Sequence, residues 1–295
     1  MDRRLILTVF TLLIAFRILG QESASREELL TMIDISTVKL QDGEDLAYHY
    51  ATRGWAYFVL DSLVKAKADF DSAIDIEKKP DYYFRRGEVQ FSLGRYKSSI
   101  ADYSVAISLC PENLEYHLSR SIAFNFIRKH HREMKGYEFV LSKDSLNEDA
   151  LRNLALLHSY FKKNKATALS FWDKLIEFYP EPENYFLRGD YFMEKSFLKS
   201  ASRDFETALN LDPENISYLT KLAYSYGMLG RLEEALKFFD RALEIDKHSG
   251  MVFKFRGMVY MKNGFLLPAC EDLKKAEEMN LSVKKLLKKC KCRNF

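Results

Sequence analysis

The sequence predicts an all-α solenoid, a stack of about seven helical hairpins, and three observations carry that prediction. Only 12 Gly and 6 Pro punctuate 295 residues, too few turn formers for an all-β chain. A 34-residue period places the glycines: seven of the twelve fall on two phases of it. At the same register, small residues and one aromatic recur where two antiparallel helices must touch.

The period is anchored by Arg53-Gly54, Arg86-Gly87, Arg188-Gly189 and Arg256-Gly257, spaced by 33, 102 and 68 residues, that is one, three and two units. Filling the gaps divides 47–281 into seven units: 47–79, 80–113, 114–147, 148–181, 182–215, 216–249 and 250–281. Position 8 holds Gly54, Gly87, Ser121, Ala155, Gly189, Ala223 and Gly257. Position 20 holds Ala66, Ser99, Glu133, Thr167, Ala201, Ala235 and Ala269, and position 24 holds Phe70, Tyr103, Tyr137, Phe171, Phe205, Phe239 and Leu273. Small residues let two helices approach, and the aromatic fills the wedge beside them. Gly94, Gly230 and Gly264 share position 15, the turn between the helices, where glycine tolerates positive φ. Pro111 and Pro213 end the second helix. A hairpin of this kind cannot bury its own apolar face; stacking on the next one does.

The composition fits a folded, soluble chain: 47% hydrophobic and 29% charged residues exclude a disordered one. A formal charge of +3 leaves no strongly basic face, so nucleic acid is not an expected partner. Residues 1–20, with Arg3 and Arg4 before the apolar run Leu5–Phe16 and Gly20 at the candidate cleavage position, read as a secretory signal peptide. Arg17 leaves an uncleaved anchor open. Cleavage removes Arg3, Arg4 and Arg17 against Asp2, so the mature chain carries +1. The expected location is the periplasm, the cell surface or the medium.

These residues resemble the tetratricopeptide repeat (TPR), a 34-residue helix-turn-helix with small residues at 8, 20 and 27 and an aromatic near 24. The likeness spans Ala47 to Leu281 and implies a right-handed solenoid with capping helices. The third unit departs from the pattern with Glu133 and Gly136, and in the fourth Ala168 and Trp172 point to a one-residue slip. Residues 21–46 read as an N-terminal capping helix over 25–40 and a turn at Asp42-Gly43, and 282–295 as a basic C-terminal capping helix begun by Ser282. The tail is similar to those of exported bacterial TPR proteins.

The resemblance implies a binding scaffold rather than an enzyme, with an unidentified protein or peptide as partner, in the concave groove of first helices. The groove positions supply Trp55, Phe58, Phe84, Glu88, Phe91, Phe186, Met193, Tyr224, Lys254, Met258 and Met261. Arg85, Arg152, Lys221 and Lys254 are expected to add positive charge beside them. The residues with which one subgroup clamps a terminal carboxylate are absent: Ala51, Trp55, Arg85, Glu115 and Ser119 stand there. The alternative is an envelope component docking through its convex face and basic tail, Lys284, Lys285, Lys288, Lys289, Lys291 and Arg293, which also allows an anionic membrane contact. A third possibility is an enzyme site hidden in the degenerate third and fourth units.

No phosphate-cradling loop, nucleophile elbow or helical metal pair occurs, so no cofactor or metal is expected. His130-His131 reads as a solvated turn, and the sequons at Asn215 and Asn280 matter only in a eukaryote. Arg at position 7 and Asp at 23 occur together as Arg53/Asp69, Arg86/Asp102, Arg188/Asp204 and Arg256/Asp272, which predicts ion pairs within each hairpin; Arg120 faces Gly136 instead. Antiparallel packing around Asn280 predicts a disulfide from Cys270 to Cys290, preferred for its apolar face, or to Cys292.

Overall fold

The computed structural model describes residues 24–162, 164–290 and 292; the signal-peptide segment, Lys291 and Arg293 lie outside them. Two compact units divide the chain between Lys143 and Asp144. Among the described residues every regular element is helical, and no helix is long and apolar enough to cross a membrane.

The first unit opens with α1 (Arg26–Asp42), started by a capping box: Ser25 Oγ accepts from Glu28 N–H while Glu28 accepts from Ser25 N–H. Gly43 at φ 79° ends it. Three hairpins follow: α2 (Leu46–Val59) with α3 (Leu63–Ile76), α4 (Pro80–Ser92) with α5 (Tyr96–Leu109), and α6 (Leu114–Phe126) with α7 (His130–Lys143). Pro80 begins α4 because a first-turn residue has no amide partner to lose. Asn113 caps α6 by accepting from Glu115 N–H.

The second unit holds α8 (Glu148–Leu157) with α9 (Lys165–Phe178), α10 (Pro182–Glu194) with α11 (Leu198–Leu211), α12 (Ile216–Met228) with α13 (Leu232–Ile245), and α14 (Gly250–Lys262) with α15 (Leu266–Glu278). Asn215, the first sequon, is the N-cap of α12 and accepts from the amides of Ser217 and Tyr218. The final helix, α16 (Lys284–Lys289), is shorter than the sequence suggests, and Val283 rather than Ser282 precedes it without a side-chain cap.

The repeat register reappears as burial. Phe70, Tyr103, Tyr137, Phe205, Phe239 and Leu273 are all buried, each in the seam of its own hairpin. The close approach is steric: a Cβ on Gly87 would lie 2.6 Å from the Tyr103 ring, and one on Gly189 2.6 Å from Phe205. Position 15 adopts positive φ in six of the seven units, with glycine or without it: Gly94 (71°), Gly230 (82°) and Gly264 (87°), but also Asp61 (56°), Arg128 (57°) and Ser196 (62°), while Lys162 of the fourth lies in a helical turn. Turn geometry, not residue type, decides that conformation.

The fourth hairpin shows how a slip is absorbed. Ala168, Trp172 and Leu175 are fully buried, one residue later than positions 20, 24 and 27. The extra residue enters a π-helical turn, His158–Lys162, at the end of α8. Ser159 on that turn accepts the Trp172 indole N–H at 3.1 Å and donates to Ala155 O, so the larger aromatic keeps its hydrogen bond in the core.

Candidate functional site

All the residues expected to line a groove fall on first helices: α2 and α4 in one unit, α10, α12 and α14 in the other. In the first unit Trp55 and Phe58 pack at the edge of the Ala66–Phe70–Val89 core and remain half-buried. Phe91 meets Tyr96 and Phe126 edge-on, with ring centroids 5.2 and 4.9 Å apart. Phe84 is a correction. It is 2% exposed, wedged against Tyr116 at 4.7 Å and Tyr103 at 5.5 Å, and belongs to the core. Position 5 in this hairpin points between helices, because Tyr103 and Tyr116 leave a space that only a large side chain fills.

In the second unit Phe186 lies 5.0 Å from Tyr218, and Tyr224 lies 4.9 Å from Phe255. Met193 packs on the Leu219–Phe239 core, Met261 packs on the C-terminal cluster, and Lys254 and Met258 are half-buried.

The expected positive strip is largely neutralised, which is a second correction. Arg85 donates to Glu88 at 2.8 Å, and burial pushes the Glu88 carboxyl above its ordinary range despite that partner. Lys221 reaches Asp190 on the preceding first helix at 2.6 Å. Arg152 is buried and donates to Asn184 at 3.0 Å and to Glu148. Lys221 and Arg152 thus tie neighbouring helices together and Arg85 is paired within its own helix, so none of the three is a free cation. His130 is likewise no solvated turn: it begins α7, half-buried, 2.9 Å from Glu133.

The position-7 arginines form two-pronged pairs inside their hairpins. Nε and Nη2 of Arg53 reach Asp69 at 2.8 Å each, those of Arg86 reach Asp102 at 3.0 and 2.7 Å, those of Arg188 reach Asp204 at 2.8 Å each, and those of Arg256 reach Asp272 at 2.8 and 3.0 Å. Sequence reasoning missed the remaining nitrogen. Nη1 of Arg86, Arg188 and Arg256 binds Asp71, Asp173 and Asp240 of the preceding hairpin at 2.7–2.9 Å. The signal was available: each of those aspartates stands 15 or 16 residues before its arginine.

At the C-terminus the disulfide joins Cys270 to Cys292, 22 residues apart, and not to the preferred Cys290. Cys290 does occupy the apolar face, buried, with its thiol 3.3 Å from Cys270 Sγ, but the chain turns after α16 and brings Cys292 into bonding position. The three sulfurs lie within 4.8 Å of one another, the one cluster of metal-ligand type among the described residues. The disulfide leaves a single thiol there.

Residues 80–113 and 216–249 each match a family model described as tetratricopeptide repeat. A TPR repeat-containing protein of Methanocaldococcus jannaschii is 23% identical over 218 residues, 70% of this chain and 38% of that protein. Human protein O-mannosyl-transferase TMTC1 is 21% identical over 181 residues, 60% of this chain and 20% of that protein. The chain thus spans well under half the length of these relatives. A tetratricopeptide repeat protein from Parabacteroides merdae superposes with a TM-score of 0.65 at 17% identity, covering 83% of this chain and 96% of that one. The repeat matches and this neighbour support the tetratricopeptide-repeat family, and the fold is a TPR α-solenoid. Proteins of this family generally mediate protein–protein interaction.

Proposed function

We propose that this chain is a non-enzymatic binding scaffold that holds a peptide or partner protein against its first-helix faces, outside the cytoplasm. The carrying observation is that the groove residues, all but Phe84, stay partly accessible on first helices whose backbones are locked by the buried seams behind them. Aromatic edges and methionines on a rigid support adapt to an apolar segment at little entropic cost. The basic N-terminus and apolar run support export.

Replacing Trp55 or Met258 with a photo-cross-linking benzoylphenylalanine tests the face. Irradiation in the native host should yield one adduct from both sites and none from Val64 or Leu211, exposed positions on second helices. Adducts from Val64 and Leu211 alone would move binding to the opposite face. N-terminal sequencing tests export: a mature chain beginning at Gln21 fits cleavage after Gly20, and one beginning at Met1 in the cytoplasm overturns it.

A further inference from the structure

Four hairpins close the arginine at position 7 with their own aspartate; the third does not. Arg120 faces Gly136 at position 23, and Ser121 stands at position 8, where those four hairpins have glycine. The exchange is reciprocal and steric. A Cβ on Gly136 would lie 1.8 Å from Ser121 Oγ, itself bonded to His117 O, so a side chain at 23 would have to displace that hydroxyl.

The cost of that exchange is an arginine without a carboxylate. Arg120 is half-buried, and its hydrogen bond goes to the neutral Ser104 Oγ, at 3.3 Å. Ser104 stands where Asp71 and Asp240 stand in other hairpins. Burial, reinforced by Arg132, holds the Arg120 guanidinium below the ordinary arginine range, whereas the hydrogen bonds to Asp102 raise that of Arg86.

Where the aspartate is missing there is a cleft of about 420 Å³, bounded by α5, α6 and α7. Arg120, Arg132 and Lys135 supply its charge, Ile100, Phe124 and Phe139 its apolar walls, and no acidic residue lines it. Arg132 and Lys135 are exposed, and Arg132 lies over the Phe124 ring. His117, also in the wall, is buried and stacked on Phe139; its Nε2 meets Pro111 O and its Nδ1 has no partner.

We propose that this cleft binds a carboxylate supplied in trans, an acidic side chain of a partner protein seated beside an apolar residue, in the place that the missing aspartate takes in the other hairpins. The geometry those hairpins show is two parallel N–H···O bonds of 2.7–3.0 Å from one guanidinium edge. A guanidinium fork fits the paired oxygens of a carboxylate or a phosphate, and such charge-assisted bonds are stronger than those between neutral groups. The flanking apolar walls match a neighbouring side chain, which a free inorganic anion lacks. Arg132 and Lys135 on the rim complement a second acidic group. The cleft lies between the first helix α6 and the second helices α5 and α7, whereas Arg85, Arg152 and Lys221 on other first helices are already paired.

Fluorescence anisotropy on the full chain tests this with a fluorescein-labelled, end-blocked Glu-Phe-Glu peptide, its Gln-Phe-Gln analogue, and inorganic phosphate and acetate as competitors. The acidic peptide should bind at least tenfold more tightly than the amide. Arg120→Gln should weaken it at least tenfold, and so should the surface pair Arg132→Gln/Lys135→Gln, which leaves the core untouched. Ser121→Gly/Gly136→Asp rebuilds the internal pair of the other hairpins and should abolish binding without lowering the melting temperature. Should that double variant fail to fold, the surface pair decides. Equal affinity for both peptides, or undiminished binding by the variants, overturns the proposal. Competition by phosphate at far lower concentration than acetate overturns it too, since the cleft would then select phosphate.

Discussion

Arg86 Nη1 donates to Asp71 Oδ1 at 2.8 Å, so the guanidinium that closes its own hairpin also ties that hairpin to the one before it. The two acids are not equivalent. Asp102 is buried and also accepts from Gln90, whereas the Asp71 side chain is 37% exposed. Asp102→Asn should cost ~2–3 kcal/mol by leaving a half-buried guanidinium short of its counter-ion. Asp71→Asn should cost under ~1 kcal/mol and lose even that at high salt. Urea unfolding of both variants with and without 1 M (roughly a 3 Å screening length) NaCl separates the two.

Ser196 pays for a turn that glycine fits. At φ 62° its Cβ crowds the following carbonyl. Ser196→Gly should raise stability by ~0.5 kcal/mol, the relief of that strain less the extra freedom of the unfolded chain. Gly230→Ala, at φ 82°, should lower it by ~1 kcal/mol. Opposite signs in thermal unfolding are the expected result, and equal signs would contradict the turn argument.

Phe84→Ala empties a fully enclosed site and should cost ~3–5 kcal/mol, with a matching fall in melting temperature. Met258→Ala, at a half-buried site, should cost about 1 kcal/mol or less. Any loss of binding by the Phe84 variant therefore reflects unfolding, and only Met258 reports on the face.

Cysteine replacement distinguishes the two candidate bonds. Non-reducing peptide mapping should find Cys270 joined to Cys292 in the parent and in Cys290→Ser. In Cys292→Ser the buried Cys290 thiol, 3.3 Å from Cys270 Sγ, should take the place of the lost partner. Cys270→Ser removes both possibilities and should cost ~3 kcal/mol, the loop-closure entropy of a short loop. A parent map showing Cys270 linked to Cys290 would reverse the assignment.

Glu133 sets a pH dependence. Burial raises its carboxyl above the ordinary range, against the hydrogen bonds from His130 and Asn125. The folded chain therefore keeps a proton that the unfolded chain has released, and stability falls as pH rises from the ordinary carboxylate value through the raised one. Glu133→Gln should remove that fall and raise the melting temperature at pH ~7, where the parent must bury a charge. A steeper decline in the variant would sink this account.

The hairpin units, the small and aromatic seam positions and the pairing of Arg53, Arg86, Arg188 and Arg256 with acids 16 residues on were legible in the chain. They are local, repeated constraints: one turn geometry and one helix-to-helix distance, stated several times over. The slip at Ala168 and Trp172 was legible as well, since a displaced period shows in a list of residues.

What tertiary structure decided are the relations between hairpins. Phe84 became core because Tyr116 of the next hairpin covers it, and Lys221 lost its free charge because Asp190 stands on the neighbouring helix. The choice of Cys292 over Cys290 is likewise set by how the C-terminal cap packs on the last hairpin, and the neutral partner of Arg120, Ser104, comes from the hairpin before it. A 34-residue period specifies what each hairpin does within itself. Which faces remain exposed, and which charges remain unpaired, depends on side chains arriving from the next hairpin, and those distances exist only once the hairpins have stacked.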